Sequence, residues 1–452
     1  MQSIPPALSC TVGPGVRPWT AVLSGERVEA ALRAALHVGR AFADPVRVRR
    51  CVALAADQTE FPGSVRWSPH DIAQGDAGLA LAASYFDRCF PDAGWDTIGH
   101  HYLAAAVESL EQTEVGPGLF TGAAGLELVT HRLSRSGTRY ARLHATLTQE
   151  LDAEAERLTH TVNGRVAGLA VREFDAISGL AGVTAQLLAR PEAAATRGAL
   201  EALIALVRGS GGDPQPPRWY TPPELFPSEE EASRYPNGSM NCGLAHGVPG
   251  PLAVLALAVA DGVAVEGIRE AVADVSGWLV GHRRDDRWGV NWPSLVSIPD
   301  GSVRDGPGRA AWCYGAPGVA RALWLAGAAL GDEALTGLAV EAMTRVYERP
   351  VAARQIDSPT FCHGVAGLLQ ITLRFRHDTG LALFDDAACA LLDQLLDRFE
   401  PEESVLGYRG IEPGGTRVDQ AGLLDGAPGV ALVLLAAALP VEPTWDRLFL
   451  LA

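Results

Sequence analysis

Lysine is absent from this chain: the 37 basic residues among its 452 are all arginines, and against 53 acidic residues they leave a formal net charge of -16. A surface so acidic disfavours any partner held by phosphate neutralisation, so no nucleic-acid partner is expected. Cysteines are few. The seven present are odd in number and scattered, unlike the dense framework of a small disulfide-stapled domain, so reduced thiols are expected. Long hydrophobic runs are also missing. The most apolar stretches, 251–260 and 430–440, end at Asp261 and Pro440, short of the roughly 20 residues that span a bilayer. They read as buried helices, and no membrane span is expected. The opening MQSIPPALSCTVGPGVRPWT lacks a basic start followed by an apolar core, so a cytoplasmic location is expected. At 48% hydrophobic and 20% charged residues, the composition is that of a soluble globular protein.

What the chain does have is a repeat. Gly-x-x-Gly followed at once by an apolar run occurs seven times, with first glycines at Gly75, Gly122, Gly179, Gly247, Gly315, Gly364 and Gly426. The intervals run from 47 to 68 residues, too irregular for a strict solenoid but long enough for two helices and two loops. The runs after the glycines, such as LALAASYF and VALVLLAA, are apolar around the whole helix, as expected of helices buried on most sides. More polar, amphipathic segments lie between them, at 101–113, 145–160 and 386–399. Glycines three apart at a helix start share a face and permit close backbone approach. The spacing therefore predicts an all-α fold, an α/α toroid of seven inner and seven outer helices; the alternative is a generic helical array with glycine-rich turns. Residues 1–24 read as an N-terminal extension and 25–452 as a single toroid domain. Two excursions, near 209–240 and 286–308, break the rhythm with proline and glycine, the second suggesting a β-hairpin around WGVNWPSLVSI.

Three units set titratable or metal-capable residues against their glycines: Ala-His246-Gly, Trp-Cys313-Tyr-Gly and Phe-Cys362-His363-Gly. If the glycines mark equivalent positions on one rim, Cys313, Cys362 and His363 converge. Two thiolates and an imidazole suit tetrahedral zinc, and a fourth position open to water or substrate marks a catalytic site. Each cysteine taken alone reads as a buried small hydrophobe, and Cys242 keeps that reading. Cys10, Cys51, Cys89 and Cys389 receive no role, and His100 and His101 read as surface or cap residues.

The set CGLAHGVPG (242–250), RAAWCYGAPG (309–318) and CHGVAG (362–367) with the seven glycine pairs resembles the lanthionine synthetase C-like family, the cyclases of lanthipeptide biosynthesis, from about residue 70 to the end. The resemblance implies a toroid of seven helical hairpins, zinc held by Cys313, Cys362 and His363, and an acid/base histidine at His246. It further implies a catalytic aspartate at Asp175 and an active-site arginine and tyrosine at Arg309 and Tyr314. On residue type alone, Asp175 could be an N-cap, Arg309 a surface arginine and Tyr314 packing.

The implied substrate is a dehydrated precursor peptide. Its cysteine thiol, deprotonated at zinc, adds to dehydroalanine or dehydrobutyrine, Arg309 stabilises the enolate, and His246 handles the proton. No dehydratase segment precedes the toroid, so a free-standing cyclase served by a separate dehydratase is expected. Two rivals stand beside this reading. A toroidal glycosidase needs two carboxylates, whereas only Asp175 stands near a glycine motif. A zinc-containing peptide- or glutathione-binding scaffold without turnover would keep the same ligands.

Overall fold

The structure is a computed structural model that describes residues 17–113, 115–165, 168–208, 216–298, 302, 306 and 308–452. Cys10, most of the expected N-terminal extension, residues 209–215 of the first excursion and several residues between 299 and 307 of the second lie outside the described residues.

Seven inner helices follow the seven glycine pairs: Asp76–Cys89, Ala123–Leu133, Leu180–Leu187, Pro249–Ala260, Ala316–Leu330, Val365–Thr379 and Ala427–Ala438. All twelve residues of the seventh are buried, as its apolar circumference predicts. Six outer helices each pair with the inner helix before them: Trp95–Glu108, Ala141–Gly164, Ala194–Val207, Ile268–Gly281, Glu333–Glu348 and Ala382–Leu396. The seventh outer helix comes from the other end of the chain. Glu26–Phe42 packs along Ala427–Ala438, and the inner helix of unit seven touches that of unit one, so the α/α toroid closes on itself. The backbone just before it is bound in as well, for Val22 N–H donates to the Ala437 carbonyl at 3.0 Å and Trp19 Nε1 to that of Ala436 at 2.9 Å.

Close backbone approach explains the second glycine of every pair but that of Gly250, where the contact is only tight. At Gly367 an added Cβ would overlap the carbonyl of Phe361, and at Gly78 that of Ile72, in each case six residues earlier. Gly315 has a further reason, since its φ of +90° lies where a side chain is strained.

A ring of main-chain hydrogen bonds joins the loops ahead of the inner helices. Ile72 N–H donates to Phe120, Phe120 to Ile177, Ala176 to Ala245, Ala245 to Cys313, Cys313 to Cys362, Cys362 to Leu424, and Leu424 to Ala73, at 2.7 to 3.4 Å. Each bond links one unit to the next, and the last returns to unit one. The centre is filled from the C-terminus. Phe449 lies against Phe120, Trp312 and Phe361, and its carbonyl accepts from Trp312 Nε1 at 2.9 Å. Buried Asp446 holds this turn by accepting from Arg374 and Gln370.

The expected hairpin differs in detail. Arg284–Asp286 pairs with Gly289–Asn291, whereas Leu295–Ser297 pairs antiparallel with Ser239–Asn241 from the first excursion. The two excursions thus brace one another, because the pairing partner of 295–297 is distant in sequence.

Candidate active site

The bonded ring brings one residue per unit to a common rim. Immediately before the first glycines stand Gln74, Thr121, Ser178, His246, Tyr314, His363 and Asp425. Four of these seven lie in consecutive units, four to seven, and carry an ionisable group.

Cys313, Cys362 and His363 meet although 49 residues separate their units' first glycines. Their donor atoms all lie within 4.8 Å of one another. Zinc–sulfur bonds of about 2.3 Å and a zinc–nitrogen bond of about 2.0 Å place neighbouring donors roughly 3.5 to 4 Å apart, so the set fits a metal of that size. The Cys362 thiol hydrogen-bonds the Cys313 sulfur, which outweighs burial, and with His363 beside it the Cys313 thiol is held well below the usual thiol range. The His363 ring is raised first by its hydrogen bond to Cys313, then by the charges of Asp425 and Cys313. Cys242 stays a core thiol, fully buried and pushed up to about 12 by burial.

Asp175 and His246 form the second half of the site. His246 Nδ1 lies 2.7 Å from Asp175 Oδ2, and the carboxylate is 2% exposed against 40% for the ring. The other oxygen, Oδ1, accepts the main-chain N–H groups of Ile177, Ser178 and Gly179 at 3.2, 2.8 and 2.8 Å. One oxygen thus ties down the turn ahead of the third inner helix, whose N-cap is Gly179, and the other contacts the histidine. Burial opposes charge on His246, but the Asp175 hydrogen bond and charge, with Cys313, outweigh it and raise the ring above the usual imidazole value.

Tyr314 sits between the halves. Its ring centre is 6.4 Å from that of His246, and its hydroxyl accepts from Asn241 Nδ2 at 3.0 Å; burial pushes its phenol upward. Arg309 is exposed, forms no ion pair among the described residues, and lies near enough for its charge to bear on Cys313, Cys362 and His363. An exposed guanidinium at the rim of a thiolate site can meet an oxyanion.

Beside His246 opens a cavity of about 360 Å³. One wall is Asp175, Asn241, His246 and Tyr314; the other, Leu225, Phe226 and Pro227, comes from the first excursion. Sequence reasoning had assigned no role to that wall, to Asn241 or to Asp425. The rim position before each first glycine was the signal that could have exposed Asp425; Asn241 and the cavity wall carried none.

Arranged this way, the residues of one rim offer a metal-capable donor set and, beside the cavity, a histidine that can carry a proton. Among known proteins, the family profile described as "Lanthionine synthetase C-like protein" matches residues 66–450. A curated relative, "Nisin biosynthesis protein NisC" of Lactococcus lactis subsp. lactis, is 25% identical over 344 residues, which cover 74% of this chain and 77% of the relative. A solved structure of "Nisin cyclase" superposes with a TM-score of 0.73 at 22% identity, covering 89% of this chain and 97% of that one.

Proposed function

Because the chain belongs to the lanthionine synthetase C-like family, we propose that it is a zinc-dependent lanthipeptide cyclase, adding peptide cysteine thiols to dehydroalanine or dehydrobutyrine to form thioether rings. The observation that carries this reading is the His246–Asp175 pair standing on the same bonded rim as the Cys313, Cys362 and His363 cluster. The relative named for nisin biosynthesis supports it.

Cys313, Cys362 and His363 would hold zinc. Zinc bound there would favour the thiolate of an incoming cysteine, which is otherwise mostly protonated at neutral pH, the proton passing to solvent. Attack of the substrate sulfur on the β-carbon forms the carbon–sulfur bond and moves the alkene electron pair toward the carbonyl as an enolate. Arg309 stabilises that oxyanion. His246, whose charged form the Asp175 contact favours, gives its proton to the α-carbon, completes the ring residue and is reprotonated from solvent. Tyr314, with its pKa raised, stays neutral and fills the wall between thiol and proton donor. The cavity beside His246 seats part of the dehydrated peptide. Free Cys313 and Cys362 thiols suit a reducing compartment such as the cytoplasm; among the described residues no helix is long and apolar enough to cross a membrane. Residues 25–452 are proposed to fold as one unit.

The test is turnover. A dehydrated precursor encoded beside this protein, incubated with it, should lose free thiols to alkylation at unchanged mass, read by mass spectrometry. Tight peptide binding with no loss of thiols would favour the scaffold reading.

A further inference from the structure

This inference rests on the reading of Cys313, Cys362 and His363 as a metal site. We propose that Asp425 is the positioning residue of that site, fixing the orientation and tautomer in which the His363 ring is presented to the metal. Three observations carry it.

The first is register. Asp425 directly precedes Gly426, as His246, Tyr314 and His363 precede their own glycines, so the fold delivers it to the rim where the ligands lie.

The second is an unmet need. Asp425 Oδ1 is buried, has no hydrogen-bond partner among the described residues, and stands 3.7 Å from His363 Nδ1. A buried carboxylate oxygen left unpaired is costly. The gap is longer than a hydrogen bond, and the proposal requires it to close. Metal-ligating histidines commonly donate their second ring N–H to such a carboxylate. A proton held on the nitrogen facing Asp425 leaves the other ring nitrogen with its lone pair for the metal.

The third is rigidity. The Leu424 carbonyl accepts from both Phe361 and Cys362 at 3.1 Å, and Leu424 N–H donates to Ala73 at 3.1 Å. The backbone that carries Asp425 is thus tied both to the ligand turn and to unit one. Closure of the toroid and placement of the carboxylate are one event, so the seventh unit would serve the metal without ligating it.

The experiment measures zinc affinity of the purified full chain by chelator competition, alongside Asp425→Ala and Asp425→Asn, with the melting temperature of each metal-free form. Cobalt(II) absorption of each loaded form is recorded as well. We expect Asp425→Ala to weaken zinc about 10- to 100-fold and to alter the cobalt spectrum, while the metal-free melting temperature stays within a few degrees of wild type. Asp425→Asn, which can still accept a hydrogen bond, should fall between the two and covers the case in which the alanine variant fails to fold. Zinc affinities of both variants within twofold of wild type would overturn the proposal, as would weakening matched by collapse of the metal-free fold. A wild-type chain that takes up no zinc overturns the metal reading and this inference together; zinc-loaded wild type with unaffected variants overturns this inference alone.

Discussion

The main-chain N–H of Cys313 donates to the carbonyl of Cys362 at 3.3 Å. The two residues that would supply thiolates are therefore adjacent links of the hydrogen-bonded ring that joins the seven units. Their separation is set by how neighbouring inner helices pack, and the donor cluster is as rigid as the toroid.

If that cluster holds zinc, purified protein should contain one zinc per chain by elemental analysis. Cys313→Ala and Cys362→Ala should each lose most of it, because a three-ligand site has no spare donor. Full retention in both variants would remove the assignment.

His246→Ala should keep its zinc yet lose ring formation by about 10²-fold or more, the scale of a lost general acid or base. Loss of metal in this variant would make His246 a ligand instead. Wild-type cyclisation would mean that the proton comes from elsewhere.

The Asp175 contact gives a pH prediction. It raises the His246 pKa, so the proton-donating imidazolium persists to higher pH than a free side chain near 6.5, and cyclisation should fall as pH rises through that elevated value. In Asp175→Asn the charge is gone, the histidine pKa drops, and the alkaline limb of the rate profile should move to lower pH. A rate that instead rises with pH through the histidine pKa, with that acid limb moving to lower pH in the variant, would identify His246 as a base.

Away from the site, Arg321 of the fifth inner helix is 2% exposed and pairs with Asp378 of the sixth at 2.6 Å. Burial acts against the Asp378 carboxylate, but the charge of Arg321 and the contacts with His377 and Arg321 prevail and hold it at about 2. A depressed carboxylate stabilises the fold fully above its unfolded pKa near 3.9, and that contribution is lost as pH falls toward 2. Asp378→Asn strands a buried guanidinium and should cost about 3 kcal/mol in denaturant unfolding at neutral pH. The variant's deficit should shrink below pH 4. A deficit that stays constant down to pH 2 would show that the pair is not the cause.

The glycine pairs, the apolar circumference of the inner runs and the Cys and His beside the glycines were all legible in the sequence. Each is a local signal: burial demands all-round apolarity, close backbone approach demands glycine, and equal repeat positions imply equal height on the ring. Which residues then touch was decided by tertiary structure. Helix Glu26–Phe42 became the seventh outer helix only because the ring closes on the N-terminal segment, a contact that no periodicity announces. Strand Leu295–Ser297 paired with Ser239–Asn241 in place of its own neighbours, because two irregular excursions happen to flank the same cleft. Asp175 ties down a turn with one oxygen and contacts His246 with the other, and sequence could offer these only as alternatives. Asp425 of unit seven came to stand 3.7 Å from His363 of unit six. Helix burial and glycine contact are fixed by residues a few positions apart, whereas a site assembled from units three to seven exists only once the circle is complete.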